Sequence, residues 1–201
     1  MAFQPNVKMV NESVIDFLTS EMVEAMVRTV QDEVRVGRER DKILGGHQQQ
    51  MNDGTGSPKF YAEGDESTEA VYYKLEMIGF RVGERLAERI SKDRMRFPDN
   101  LDVVKFVCKE VWTFLFKKQI DNLKTNHRGV YVLQDNNFRW FTRMAHDHNS
   151  AEAVKRVTPY LWFPCGILRG ILSNFGISSV VMAETSALPA CTFQIKVAKA
   201  P

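Results

Sequence analysis

The chain has 201 residues, of which 44% are hydrophobic and 26% charged, which is the composition of an ordinary globular protein of one domain. Its formal net charge of +2 argues against nucleic acid as the main partner. Since no long uninterrupted run of apolar residues occurs, we expect no membrane-spanning helix. Three cysteines at unpaired spacings (Cys108, Cys165 and Cys191), without a recognisable signal peptide, indicate a reducing compartment.

Two amphipathic helices are predicted in the first half of the chain. We expect residues 1–12 to be a flexible terminus, and the first helix to begin at Ser13, which has capping-box spacing with Asp16. Apolar residues then recur along or beside one face until about Val34: Val14, Ile15, Phe17, Leu18, Met22 and Met26. The second helix begins near Ser67, and its predicted buried stripe comprises Val71, Leu75, Ile78, Val82, Leu86 and Ile90.

Between these helices, residues 37–66 are rich in Gly, Gln, Asn and Asp, and we expect a mobile insert within a single domain that spans residues 13–201. In the second helix, Gly79 and Gly83 are four residues apart. Because a glycine inside a helix costs about 1 kcal/mol relative to alanine, this pair predicts close packing against another backbone. Gly166 and Gly170 repeat the spacing.

A third helix is predicted over residues 101–116, and it is apolar around most of its circumference. Its apolar residues are Val103, Val104, Phe106, Val107, Val111, Trp112, Phe114, Leu115 and Phe116. A helix on a one-sided core needs an apolar arc of only a little more than about 100°. We therefore expect this helix to be covered on several sides, in part by something beyond its own domain.

The rest of the chain predicts a sheet and one more helix. Leu123 to Leu133 reads as a hairpin with Gly129 at its turn, a fourth helix runs from about Pro159 to Phe175, and two strands close the chain. Pro164 lies inside the helical pattern, so that helix is either kinked or begins later. The predicted fold is α+β, with four main helices packed on one face of a twisted antiparallel sheet of about four strands.

No catalytic constellation stands out. His146-Asp147-His148 lacks the convergent third and fourth ligands of a metal site, so we favour a solvated loop. The cysteines are more typical of buried packing than of nucleophiles. The glycines of residues 79–83 lack the order of a phosphate-binding loop. Basic residues in the middle of the chain (Lys117, Lys118, Lys124, Arg128 and Arg139) are interpreted as a solvated rim rather than a membrane-binding patch.

Four ordered segments carry a resemblance to a known family. They are GFRVGERLAER, LDVVKFVCKEVW followed by KKQIDNLKTNHRGVYVLQDN, PCGILRGILSNFGI, and a late LPACTFQI. Together they resemble the small adaptor subunits of TRAPP, the transport protein particle, and most of all the subunit-six branch of the Bet-three-like superfamily. The likeness covers about residues 13–36 and 67–199.

The resemblance implies a non-enzymatic scaffold without a cofactor or metal. Such subunits pair through their first two helices with another small subunit, here most naturally the Bet-three subunit, with a homodimer as the alternative in isolation. The assembled complex tethers vesicles and acts as a Rab nucleotide exchange factor in ER–Golgi traffic, and it is peripheral at Golgi membranes from the cytoplasmic side. Carried over, the pairing surface falls on Phe17, Leu18, Met22, Ile78, Val82 and Leu86.

Two other functions remain open from the residues alone. The wide apolar helix could line a pocket for a small molecule or an acyl chain, and a cysteine with a nearby histidine could make a thiol enzyme. Two departures from the family pattern matter as well. Arg94 stands where the Bet-three subunit carries an acylated cysteine, which argues against a bound acyl chain, and the insert at 37–66 is longer than the family usually has.

Overall fold

The structure is a computed structural model that describes residues 12–43, 66–92, 96–126, 128–142 and 151–198. The first helix, α1, spans Glu12–Ile43, and the second, α2, spans Glu66–Ile90. Residues 37–43 therefore belong to α1, and the insert predicted to begin at Gly37 cannot begin before residue 44. The predicted flexible terminus, apart from Glu12, and residues 44–65 of the predicted insert lie outside the described residues.

Helix α1 packs on α2 through a small apolar cluster of its own. Val23 and Val30 of α1 meet Val71 and Leu75 of α2, and all four side chains are at most 6% exposed. The spacing of Val23 and Val30, two helical turns, places both on one face of α1. The packed face is thus rotated away from Leu18, which the sequence pattern had placed in line with Met22 and Met26.

The glycine pairs bring two helices into backbone contact, as predicted. Helix α7, Trp162–Asn174, carries the second pair, and each of the four glycines lies directly against the partner helix. A Cβ atom built on Gly79 or Gly83 would overlap the carbonyl oxygen of Phe163 or Ile167, respectively, and the α7 glycines face α2 carbonyls in the same way. No side chain larger than hydrogen fits at these positions without separation of the helices.

The third helix runs over residues 100–116 as three continuous segments. Helix α3, Asn100–Phe106, is followed by a π-helical turn, Val107–Val111, and by α4, Trp112–Phe116. The Asp99 side chain caps its start by accepting a hydrogen bond from the Asp102 backbone N–H at 2.8 Å. Three shorter helical segments, α5 (Arg139–Thr142), α6 (Ala151–Val157) and a 3-10 helix (Thr158–Leu161), lead into α7.

The predicted sheet is present. Its strands β1 (Asn122–Thr125), β2 (Val130–Asp135), β3 (Ser179–Glu184) and β4 (Cys191–Val197) pair antiparallel in the order β1-β2-β4-β3. Gly129, with φ 78°, makes the predicted hairpin turn between β1 and β2. Gly176, with φ 77°, ends α7 where the sequence predicted. Pro164 is the third residue of α7, and the residues before it, Thr158–Leu161, form a 3-10 helix, so the fourth α-helix begins at Trp162, later than Pro159.

Burial alternates along the two central strands, which shows that one face of the sheet is covered. In β2 the side chains of Tyr131, Leu133 and Asp135 point inward, and in β4 those of Phe193 and Ile195 do so. They form one core with the third helix and α7. The predicted fold class, α+β with helices packed on an antiparallel sheet, is confirmed.

Candidate partner-binding surface

The third helix was expected to need cover from outside its domain, and the structure corrects this expectation. Seven of its nine apolar side chains are buried within the chain itself: Val103, Val104, Phe106, Val107, Val111, Trp112 and Phe116. Leu115 is half-buried against the same core, and only Phe114 remains open, at 48% exposed. The core that covers them contains side chains of the sheet, of α7 and of the short helices, such as Phe193, Ile171 and Phe141. This helix is therefore not the main apolar surface left for a partner.

Aromatic rings fill the space between this helix and the sheet. The Trp112 ring lies 4.5 Å from that of Phe116 and 5.2 Å from that of Phe193, measured between ring centroids. Phe138 packs against Phe116 and Phe193 as well, at 4.9 and 5.7 Å. Rings in such contact leave no channel for an acyl chain at this place.

One buried carboxylate ties the third helix to the hairpin. Asp135 is 0% exposed and accepts hydrogen bonds from Trp112 Nε1 at 2.8 Å and from Lys118 Nζ at 2.7 Å. Lys118 also donates to Asp121 at 2.7 Å and thereby lowers the pKa of that carboxyl group. The network was not foreseen, although the inward register of Tyr131 and Leu133 extends to Asp135. Lys118 therefore has a structural role rather than belonging to a solvated rim.

The start of α1 carries the most exposed part of the predicted pairing surface. Phe17 is 68% exposed and Leu18 65% exposed, while the adjacent Thr19 is 4% exposed. Val14, one turn earlier, is also open, at 51%. These apolar side chains lie on the side of α1 that faces away from α2, because Thr19 and Val23 occupy the packed side. Within the described part of the chain, at least half of each of these side chains is open to water.

The other predicted pairing residues differ in what their own chain already covers. Met22 is half-buried against the cluster between α1 and α2. On α2, Ile78 is half-buried and Val82 is 41% exposed, one turn further along the same face. Leu86 is 9% exposed and belongs to the main core, so little of its side chain is left for a partner. Tyr73, 63% exposed on α2, is a further open apolar side chain that the periodicity did not single out.

The three cysteines are poor nucleophiles. Each is free and buried, and burial raises the pKa of each thiol, that of Cys108 to about 12. A reactive thiol needs the opposite setting, exposed and near positive charge. Cys108, Cys165 and Cys191 therefore have the packing role that the sequence favoured.

No metal site appears in the described ranges. Among those residues no group of three potential metal-ligating side chains converges, and His146 and His148 lie outside them. An open cleft of about 250 Å³ lies beside the start of α3, between Arg96, Phe97 and Phe175. Arg94 also lies outside the described residues. None of the described helices is long and apolar enough to cross a membrane.

The arrangement defines an α+β domain whose most open apolar side chains, within the described residues, lie on its first two helices. Residues 15–198 match the transport protein particle (TRAPP) component family, and the chain belongs to that family. It is 55% identical over 126 residues to the human trafficking protein particle complex subunit 6B, a stretch that covers 63% of this chain and 78% of the relative. The bovine subunit 6A is 46% identical over 125 residues, which cover 62% of this chain and 77% of that protein.

These relatives place the chain in the subunit-six branch of the family, as a component of a trafficking complex. A solved structure of subunit 3 of the same complex from Naegleria fowleri, covalently bound to palmitic acid, aligns with a TM-score of 0.53. It covers 90% of this chain and 97% of the other at 12% identity, so this likeness shows the fold alone. The fold and the family expected from the sequence are both confirmed.

Proposed function

We propose that the chain is a non-enzymatic scaffold subunit that pairs with another TRAPP small subunit through the start of α1 and the open face of α2. The Bet-three subunit is the partner we favour, with a homodimer in its absence. The observation that carries the proposal is the exposure of Phe17 and Leu18, at 68% and 65%. Adjacent apolar side chains this open on a helix are typical of a surface that a partner covers.

The energy available at this surface is large enough to matter. Full burial of a Phe or Leu side chain is worth about 1.5–3 kcal/mol. About two thirds of each remains to be buried here, so Phe17 and Leu18 together offer about 2–4 kcal/mol. Val14 and Val82 add to it, whereas Met22 is already packed in the cluster between α1 and α2 and Leu86 in the main core. Such a contribution changes a dissociation constant by about 30- to 1,000-fold.

In the assembled complex this chain has an architectural role. The complex acts as an exchange factor for a Rab GTPase and tethers vesicles in ER-to-Golgi and Golgi traffic, on the cytoplasmic side of the membrane. Two observations support a role without chemistry of its own: the cysteines are buried with raised thiol pKa values, and the interior beside the third helix is filled with rings. Membrane association then comes through the complex.

The test is pairing of purified chains. We expect this chain, co-expressed with the Bet-three subunit, to elute as a heterodimer in size-exclusion chromatography with light scattering. Leu18→Asp should abolish the heterodimer without loss of helix content by circular dichroism, because it places a charge in the contact. Val36→Asp is the matched control, since Val36 is 43% exposed near the other end of α1. If Leu18→Asp pairs with unchanged affinity, the surface is misplaced.

Native mass spectrometry of the same sample separates the scaffold from the acyl-binding alternative. The proposal predicts the mass of a bare heterodimer. A fatty acid retained by this chain in a one-to-one ratio would favour the apolar-pocket function instead. If the partner is labelled with heavy isotopes, the two chains differ in mass, and dissociation of the heterodimer in the spectrometer shows which chain holds any bound lipid.

A further inference from the structure

Strand β3 forms one edge of the sheet, and its outer side is unpaired. The sheet has the order β1-β2-β4-β3, so β3 bonds to β4 along one side only within the described residues. A free sheet edge presents a row of backbone donors and acceptors to any extended chain that approaches it. Which groups of β3 are free follows from the register.

The hydrogen bond at the end of the ladder fixes this register. The Ala198 N–H donates to the Ser178 carbonyl at 2.8 Å, in line with the pairing of Val180 with Lys196 further along. In an antiparallel ladder, hydrogen-bonded and non-hydrogen-bonded pairs alternate. Val180, Met182 and Glu184 therefore direct their backbone groups toward β4.

The alternate residues point the other way. Ser179, Val181 and Ala183 direct their N–H and C=O groups out of the sheet, and no described residue bonds to them. Three residues at a period of two offer up to six backbone hydrogen bonds to one added strand. This pattern of donors and acceptors selects an extended polypeptide backbone.

The two edges of the sheet differ in how they are protected. Strand β1, the other edge, has only four residues. Three of them are exposed, Asn122, Lys124 and Thr125, and one of these is a lysine. Short length and lysine are the usual devices against edge-to-edge pairing. Strand β3 has six residues, its only charge is Glu184 at the end, and Val180 is 55% exposed. The edge at β3 has neither of these protections.

We propose that an extended segment of another subunit of the complex adds to β3 as a fifth strand. Its backbone bonds to Ser179, Val181 and Ala183. On the outer face of the sheet, the added strand carries apolar side chains opposite Val180 and Met182 and a basic side chain opposite Glu184, because directly paired residues on one face contact each other. This contact is separate from the pairing surface on α1 and α2 and does not depend on it.

Hydrogen exchange at single-residue resolution tests the strand directly. The chain is compared as a small-subunit heterodimer and in the complex reconstituted with the remaining TRAPP subunits. Exchange at the amides of Ser179, Val181 and Ala183 should slow about tenfold or more on assembly. The amides of Val180 and Met182, already bonded to β4, should change little. This alternation distinguishes an added strand from general burial under a partner.

Two variants and one control complete the test. Ala183→Pro removes one of the outward N–H groups of β3. The control is Thr125→Pro, which removes an outward N–H group of β1. The Thr125 N–H points outward because the next residue, Asn126, donates its N–H to the Val130 carbonyl of β2, and inward and outward groups alternate along a strand. Ala183→Pro should weaken incorporation into the complex about tenfold, whereas Thr125→Pro should not. Val180→Lys, a change at an exposed side chain that leaves the backbone free, should weaken incorporation as well even if Ala183→Pro fails to fold.

The outcomes decide the proposal in either direction. Alternating protection together with loss of incorporation in Val180→Lys supports it. Unchanged exchange at all three outward amides in the complex overturns it, and so does equal incorporation of Val180→Lys and the unmodified chain. Pairing of β3 with β3 of a second copy, seen as a dimer of this chain that Val180→Lys disrupts, overturns the assignment to another subunit. A failure of Leu18→Asp to affect heterodimer formation concerns only the α1 surface.

Discussion

The contact between α2 and α7 makes a sharp prediction for Gly83. A Cβ atom at this position overlaps the Ile167 carbonyl oxygen and lies 2.9 Å from the Ile167 carbonyl carbon. Carbon atoms in van der Waals contact are about 3.5–4.0 Å apart, so Gly83→Ala requires the two backbones to separate by at least about 0.6–1.1 Å. The obstacle is backbone and not a flexible side-chain end, so a change of rotamer cannot relieve it.

The size of the effect follows from two opposing terms. Gly→Ala inside a helix stabilises by about 1 kcal/mol through backbone entropy. Overpacking costs about 1–3 kcal/mol, and a clash at the centre of a four-glycine contact belongs at or above the upper end of that range. We expect a net loss of about 2 kcal/mol. For a chain of this size that loss lowers the melting temperature by about 4–8 °C.

Gly37→Ala is the matched control, because Gly37 lies in α1 and an added Cβ meets nothing within 4 Å. It should raise the free energy of unfolding by about 0.5–1 kcal/mol. Both variants are measured by urea unfolding, followed by circular dichroism, at one fixed protein concentration and in the same oligomeric state, since partner binding shifts apparent stability. Equal stabilisation by Gly83→Ala and Gly37→Ala would refute the reasoning about the close helix contact.

Three further predictions concern buried and charged groups. Asp135→Ala should lower the free energy of unfolding by about 2–4 kcal/mol, because it leaves Trp112 Nε1 and the Asn137 N–H without their acceptor and leaves Lys118 with Asp121 alone. A loss in urea unfolding no larger than that of Asp121→Ala would contradict this. The hydrogen bond from Lys118 lowers the pKa of Asp121 from 3.8, so the pair stabilises the fold above pH 3.8, and this contribution is lost as the pH falls through the folded-state pKa. Asp121→Asn should therefore reduce the fall of the urea unfolding midpoint at acid pH. If the midpoint depends on pH in the same way in the variant, the pair is not the cause of that fall. Because burial raises all three thiol pKa values, iodoacetamide at neutral pH should label no cysteine until urea is added. Labelling of the folded protein within minutes, detected by mass spectrometry, would instead show a reactive thiol.

Local patterns predicted the parts of the fold that depend on local chemistry. The hairpin at Gly129, the end of α7 at Gly176 and the close approach at Gly79 and Gly83 each follow from what glycine permits that other residues do not. The alternation of apolar and polar residues along β4 predicted which of its side chains point into the core, such as Phe193. The extension of α1 to Ile43 was missed because the composition changes at Gly37 before the helix ends.

What the sequence could not give is how much each apolar face is covered. Periodicity reports which side chains share a face, but Leu18 and Met22 show that it cannot tell a packed face from an open one. Leu18 is 65% exposed, whereas Met22 is half-buried against the cluster of Val23 and Leu75. Asp135 was missed for a related reason, since its burial depends on Trp112 and Lys118, which are distant in sequence.

The location of the open apolar surface changes the physical basis of assembly. Excess apolar surface was expected on the third helix, yet that helix is almost wholly covered by its own sheet and by α7. The two most exposed apolar side chains, Phe17 and Leu18, lie instead on a helix that meets the rest of the chain through a separate, smaller cluster. Because the main core is filled by the chain itself, the proposed pairing would add stability to α1 rather than to the sheet. It follows that removal of the partner should loosen α1 first, while the ring-filled core around Trp112 keeps its structure.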